Sequence, residues 1–257
     1  MNVVKREIRS TLPALFAAAC IVIAPSTGWT QSQSDAALKK EVESLKGEVK
    51  SLRSELDDVK KTLHDLTTRP DPVFDATGSP AMGNANAKLV IVEFSDYQCP
   101  YCMDYFTNSY RKIIDEYVKT GKLRYVVRDF PGESIHPYAL KAAEGARCAV
   151  EQGKFWEMHD GLFNNQRNLG TTGISDSAQS ARLNLPQFQA CLDSGKHTAG
   201  IKKDEDDTVK LGVKGTPAFF IGTPDPANPL KIKLAKIMIG SQPLTAFQQV
   251  IDGLLAK

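Results

Sequence analysis

Residues 88–95 read Lys-Leu-Val-Ile-Val-Glu-Phe-Ser, an almost unbroken apolar run, and Cys99-Pro100-Tyr101-Cys102 follows shortly after it. A strand that is apolar at successive positions has both faces buried, which calls for a sheet covered on each side. Pro100 then suits the first position of a helix, because the N–H it lacks is one that a helix start leaves unpaired anyway. Cys99 falls at the N-cap, so its sulfur faces free backbone N–H groups and the positive end of the helix dipole. Both favour thiolate over thiol, and sites of this kind have thiol pKa values of roughly 3.5–7, against about 8.5 unperturbed. If the pair is reactive, Cys99 at the exposed helix tip forms the mixed disulfide. Cys102, one turn deeper, resolves it. The competing reading is a structural disulfide across one helical turn.

The pattern on either side of this strand is α/β. A helix is expected from Pro100 to about Thr120, and a second strand over residues 122–128. From about Pro137 to Leu211 the pattern is helical, with breaks near Gly153, Gly170–Gly173 and Gly195. Strands return over 218–221 and 236–239, and a last helix covers 244–255. The order is strand–helix–strand, a helical insertion over about 137–211, then strand–strand–helix, giving a domain over 88–257.

The N-terminus reads as an export signal over residues 1–30. Lys5, Arg6 and Arg9 form a basic head, and residues 12–24 are an uncharged, mostly apolar run. A run of that length falls short of the ~20 residues a membrane span needs and suits a signal core. Retention as an uncleaved anchor is the alternative. A lipoprotein reading of Cys20 conflicts with the apolar Ile21-Val22-Ile23 after it. The expected location is the periplasm or cell envelope.

Residues 35–67 carry apolar side chains at Leu38, Val42, Leu45, Val49, Leu52, Leu56, Val59, Leu63 and Leu66, in alternating steps of four and three. This is a heptad repeat with Val42, Val49, Leu56 and Leu63 at position a. Glu41, Glu48 and Glu55 fall at g, and Lys46, Arg53 and Lys60 at e. In a parallel pair each Glu meets a cation; in an antiparallel pair Glu meets Glu. The expectation is a parallel homo-oligomer, dimer or trimer. Each exposed pair adds about 0.2–1 kcal/mol, so charge directs while the apolar seam stabilises. Residues 68–87 hold Pro70, Pro72, Gly78, Pro80 and Gly83 and read as a linker with one short strand near Val73-Phe74.

Without Cys20, an exported chain keeps Cys99, Cys102, Cys148 and Cys191. An even number in an oxidising compartment points to two disulfides. Zinc is the rival, but Cys148 and Cys191 do not form the second close pair such a site wants. His64 falls at an outward coiled-coil position, His136 in a loop, His159 in helix packing and His197 at the surface. None has a ligand-like partner at helical spacing, so no metal is assigned. A formal charge of +2 gives no indication of a nucleic-acid partner.

The segment Glu93-Phe94-Ser95-Asp96-Tyr97-Gln98-Cys99-Pro100-Tyr101-Cys102 resembles the DsbA-like family of bacterial disulfide oxidoreductases. Gly215-Thr216-Pro217-Ala218-Phe219-Phe220-Ile221 is similar to that family's cis-proline loop and the strand after it. The resemblance spans about residues 78–257 in matching order. It implies a thioredoxin fold with an inserted helical subdomain and thiol–disulfide exchange without a dissociable cofactor. It further implies a cis Thr216–Pro217 bond beside the reactive pair, where Thr216 can offer backbone groups to a substrate strand.

Glu93 occupies the place of the family's buried acid. Burial would raise its pKa, and it could then pass a proton to and from Cys102. A Glu at a strand edge touching water is the alternative. Tyr101 stands where the family's strong oxidant carries histidine, and the Pro-Tyr dipeptide resembles that of a periplasmic isomerase relative. Related proteins carry a second disulfide in the insertion, which implies a Cys148–Cys191 bridge. Closing about 43 residues would restrict the unfolded chain by about 4 kcal/mol in the entropy view. The implied clients are reduced or wrongly bridged exported proteins, with a membrane redox partner. Oxidase and isomerase or reductase remain open. A reading from another class is an envelope scaffold that keeps the fold with idle thiols.

Overall fold

The computed structural model describes residues 27–68 and 73–257, with side chains over 38–60 and 73–257. Of the expected signal segment, only 27–30 fall within these bounds; Lys5, Arg6, Arg9 and Cys20 lie outside the described residues. So do the side chains of Leu63, His64 and Leu66. The chain divides into two units, at Thr68 and Arg69.

The first unit contributes α1 (Thr27–Thr68). Every described side chain on it is exposed, the heptad stripe included: Val42 is 41% and Leu52 62% exposed. Its ion pairs run along the helix, from Lys46 to Glu43 at 2.7 Å and from Lys60 to Asp57 at 3.6 Å. No helix of the described residues is long and apolar enough to cross a membrane.

The second unit is built on β1 (Val73–Asp75), β2 (Ala81–Met82), β3 (Leu89–Ser95), β4 (Leu123–Asp129), β5 (Ala218–Asp225) and β6 (Asn228–Ile239). They form one sheet in the order β1-β6-β5-β3-β4-β2. β3 and β4 run parallel, and every other pairing is antiparallel. All seven residues of β3 are buried, as its apolar run requires. Because side chains alternate along a strand, Leu89 and Ile91 enter one core cluster and Val90, Val92 and Phe94 enter the other. Glu93 shares the face of Leu89 and Ile91.

A helical stretch follows β3: α2 (Pro100–Tyr105), a π-helical turn (Phe106–Tyr110), α3 (Arg111–Ile113) and a second π-helical turn (Ile114–Val118). The insertion holds α4 (Ala139–Val150), α5 (Phe155–Asn164), a 3-10 turn (Gln166–Asn168), α6 (Gly173–Ser180), α7 (Leu185–Ser194) and α8 (Thr198–Lys210). The expected breaks fall between these helices, and Gly153 and Gly195 take left-handed conformations there, φ +66° and +61°. α9 (Leu244–Leu255) closes the chain and buries Phe247 and Ile251. This is the expected thioredoxin fold with inserted helices.

Two elements differ from the sequence reading. The proposed linker over 68–87 contributes two edge strands rather than one short stretch. β1 pairs with β6 and places Phe74 against the rings of Phe94 and Phe220, at 5.5 and 6.4 Å. β2 pairs with β4. β1 is the short strand expected near Val73-Phe74; β2, of two residues, is disguised by the prolines and glycines around it, which edge positions tolerate. β6 is also far longer than 236–239. Lys231-Ile232-Lys233-Leu234 alternates in the manner of a strand buried on one face, with Ile232 only 1% exposed.

An ionic network ties the insertion to the sheet. Arg147 of α4 reaches Asp129 at the end of β4 at 2.6 Å and also pairs with Asp204 of α8, and Arg128 lies 2.8 Å from that same Asp204. Both carboxylates are buried. A disulfide joins Cys148 of α4 to Cys191 of α7. Beside it, His197 Nε2 lies 2.8 Å from Glu151 Oε1.

Candidate active site

The chain leaves β3, turns, and enters α2 at Pro100. Cys99 is the N-cap, with φ −67° and ψ 125°, and its carbonyl accepts from Met103 N–H at 3.1 Å. The Cys99 sulfur is not at an open tip, as the sequence reading had it. Cys99 is only 4% exposed, because Thr216 comes over it from the loop before β5; the thiol donates to the Thr216 carbonyl at 3.4 Å. The Thr216–Pro217 bond is cis. Tyr101 is 66% exposed, and Cys102 is fully buried.

Cys99 and Cys102 are both free thiols. The Cys99 pKa is lowered to about 6, chiefly because the Cys102 thiol donates to its sulfur. The Thr216 hydroxyl and the backbone N–H groups of Cys102 and Tyr101 add to this, while burial opposes it. Helix-start N–H groups therefore contribute as the sequence suggested, but the largest effect comes from the partner thiol. Cys102 moves the other way, driven up by burial, then by Cys99 and by the charge of Glu93. The pair is thus split into a readily ionised thiol at the helix start and a thiol beneath it that holds its proton.

Glu93 is 1% exposed and does not touch water at a strand edge. Ser95 Oγ donates to its Oε1 at 2.7 Å and Tyr125 Oη to its Oε2 at 2.5 Å; Tyr125 and Tyr105 share a further hydrogen bond of 2.9 Å. Burial raises the Glu93 pKa, against the opposing influence of His159, Tyr125 and Ser95. A carboxyl held this way keeps a proton more readily than an exposed one.

Three side chains to which the sequence reading assigned no role, Asp96, His136 and Gln166, hold the turn that carries Cys99. Asp96 Oδ1 accepts from Gln98 N–H at 2.7 Å. Its Oδ2 accepts from Gly132 N–H at 2.8 Å and lies 2.7 Å from His136 Nδ1. The Gln166 amide donates to the carbonyls of Tyr97 and Cys99 at 2.9 and 3.0 Å. An acid just ahead of a helix N-cap was a usable signal for Asp96, since Asp side chains bind backbone N–H groups two positions on. No local signal pointed to Gln166. Beside Cys99 and Thr216 opens a groove of about 450 Å³, lined also by Tyr101, Ile135, His136 and Lys214. Ile135 is 75% exposed there.

Residues 75–238 match the thioredoxin family. The chain belongs to that family. Among solved structures it is similar to alpha-DsbA1 of Wolbachia pipientis, with 26% identity, a TM-score of 0.61, and 70% of this chain and 92% of that one covered. It also shares the fold of BdbD from Bacillus subtilis, with 20% identity, a TM-score of 0.59, and 70% and 94% coverage. These likenesses make it a DsbA-like thioredoxin-fold protein. A stretch of 157 residues is 36% identical to the Na(+)/H(+) antiporter NhaA 3 of Salinispora tropica, covering 61% of this chain and 23% of that protein. The chain spans about a quarter of the length of the curated relatives it matches. Antiport belongs to those longer proteins and is not carried over to this DsbA-like chain.

Proposed function

We propose that this DsbA-like protein is an exported thiol–disulfide oxidoreductase, acting on other exported proteins through Cys99 and Cys102. One observation carries the reading: Cys99 has a pKa lowered to about 6 and sits at a helix start under Thr216. A client disulfide entering the groove meets a thiolate at neutral pH, which attacks one of its sulfurs while the other leaves as a thiolate. Thr216 can pair with the extended client backbone beside it. Attack forms a Cys99–client disulfide. Cys102 then displaces the client, and Glu93 takes the proton that Cys102 must lose. Pro100 sets the helix start, and Tyr101 stands at the groove as a neutral, exposed side chain.

The direction of exchange follows from the supply of electrons. A lowered Cys99 pKa stabilises the reduced pair, which suits donation of a disulfide to clients and reoxidation by a membrane partner. The neutral Tyr101 and the uncovered heptad stripe of α1 favour the opposite direction. Self-association of α1 as a parallel dimer or trimer would present several reactive pairs to one client, which suits repeated attack on wrong bonds. Refolding of a scrambled disulfide protein separates the two. An isomerase restores activity to it, whereas a pure oxidase leaves it scrambled. Comparing the full chain with a form lacking residues 35–67 tests the contribution of the stalk: if isomerisation is unchanged, oligomerisation has no part in it. A scaffold with idle thiols would act on neither scrambled nor reduced clients.

A further inference from the structure

The disulfide between Cys148 and Cys191 lies beside two further side chains of metal-binding type. Cys148 belongs to α4, and Glu151 caps the end of that helix three positions on, so the two are neighbours on its surface. Cys191 comes from α7, and His197 is the residue ahead of α8. The cysteines stand 43 positions apart in the chain, which hides the group from any short motif. The packing of α4 on α7 removes that distance.

The donor atoms of Cys148, Cys191 and His197 all lie within 4.8 Å of one another. Glu151 Oε1 adds a fourth donor, 2.8 Å from His197 Nε2 and 3.9 Å from the Cys191 sulfur. A tetrahedral Zn²⁺ has bonds of about 2.3 Å to sulfur and about 2.1 Å to nitrogen or oxygen, which spaces its donors roughly 3.3–3.8 Å apart. Two sulfurs, an imidazole and a carboxylate near those spacings make a zinc set, and the sulfurs select such a cation over Mg²⁺ or Ca²⁺. The group also has a way in from water. Both cysteines are buried, whereas the side chains of His197 and Glu151 are partly exposed. Lys196 is the competing cation. Its Nζ lies 2.8 Å from Glu151 and holds that carboxyl below its usual range, so Glu151 is ionised. The Lys196 side chain is itself half-exposed and has water to turn to when a metal takes its place.

The bond between the two sulfurs keeps the group closed, because the ligand a metal needs is the thiolate. We propose that Cys148, Cys191, His197 and Glu151 form a redox-gated zinc site, shut while the bridge is intact and available once it is reduced. The reductant is a dithiol. Its two sulfurs join in a disulfide, and the Cys148–Cys191 bond breaks as it accepts two electrons and two protons. Zn²⁺ then displaces both thiol protons to water. His197 ligates as a neutral imidazole through Nε2, and Glu151 as a carboxylate through Oε1. The metal takes over from the covalent bond the task of tying α4 to α7. The site is independent of the exchange reaction at Cys99.

The test uses the full chain carrying Cys20→Ser, Cys99→Ser and Cys102→Ser, which leaves Cys148 and Cys191 as its only cysteines. One sample is treated with a phosphine reductant, which is then removed without air, and the other stays oxidised. Equilibrium dialysis against Zn²⁺ should find one ion per reduced chain and none per oxidised chain. Co²⁺ in place of Zn²⁺ should give a thiolate-to-metal charge-transfer band in the reduced chain alone. His197→Ala and Glu151→Gln should each weaken Zn²⁺ binding by at least about 10-fold, since losing even an outer partner of a metal ligand costs on the order of 10- to 100-fold. Where a reduced variant unfolds without metal, its refolding on added Zn²⁺, followed by circular dichroism, reads the same affinity. Absence of Zn²⁺ uptake by the reduced chain overturns the site. So does uptake that His197→Ala and Glu151→Gln leave unchanged, which marks a bare dithiol.

Discussion

The side-chain amide of Gln166 donates to the carbonyl of Cys99 at 3.0 Å, joining the helical insertion to the turn before α2. A second bond from the same amide reaches Tyr97 at 2.9 Å. The insertion is therefore part of the apparatus that fixes where Cys99 sits. Gln166→Ala should cost about 1–3 kcal/mol, since two carbonyls lose their donor. Chemical denaturation measures that loss. The reaction of Cys99 with a disulfide should slow as well, whereas a purely remote contact would leave its rate unchanged.

Arg147 holds two buried carboxylates, Asp129 and Asp204. Burial raises the Asp129 pKa, and Arg147 is the chief influence against that rise. Arg147→Met should destabilise the protein by about 3–5 kcal/mol at neutral pH, because it leaves charge buried without its partner. The loss should shrink as pH falls, since protonated carboxyls need no counter-ion. Urea midpoints of both proteins at pH 5 and pH 8 check the size and the sign.

The chain's α/β order, the buried strand β3 and the helix opening at Pro100 were all legible in the sequence. Each rests on a local rule: apolar continuity over 88–95, and the fitness of proline for a helix start. β1 was legible as a short strand near Val73-Phe74, whereas β2 was not, because a strand of two residues carries too little pattern to stand out among prolines and glycines. The site divides in the same way. Cys99, Cys102 and Thr216 announce themselves by short motifs, and the fold brings them together. Gln166, His136 and Arg147 act through partners 67, 40 and 57 positions away, at Cys99, Asp96 and Asp204. Such contacts exist only once the insertion has packed on the sheet.

The exposed stripe on α1 gives a test of self-association. Leu45→Glu together with Leu52→Glu places charge at two d positions of the proposed seam. Light scattering on the full chain should read a dimer or trimer, and on the double variant a monomer. Equal masses for both would remove the seam.

The lowered Cys99 pKa also links stability to pH. A thiol depressed from an unfolded value near 9 to about 6 contributes stability that is fully present above 9 and lost as pH falls through 6. Cys102 is raised, so it takes stability away only above its unfolded value. The reduced protein should therefore gain stability relative to the disulfide form between pH 6 and pH 9. Thermal melts of the two redox forms across that range read the difference directly.

The most direct test of the account is the rate of Cys99 alkylation by iodoacetamide as a function of pH, in the reduced protein with Cys102→Ala as a control. In the wild type the rate should rise with a midpoint near pH 6, and in the control the midpoint should move upward, because the donating Cys102 thiol is gone. A wild-type midpoint near 9 would mean an ordinary, protonated thiol at Cys99, and the exchange chemistry proposed for this fold would not stand.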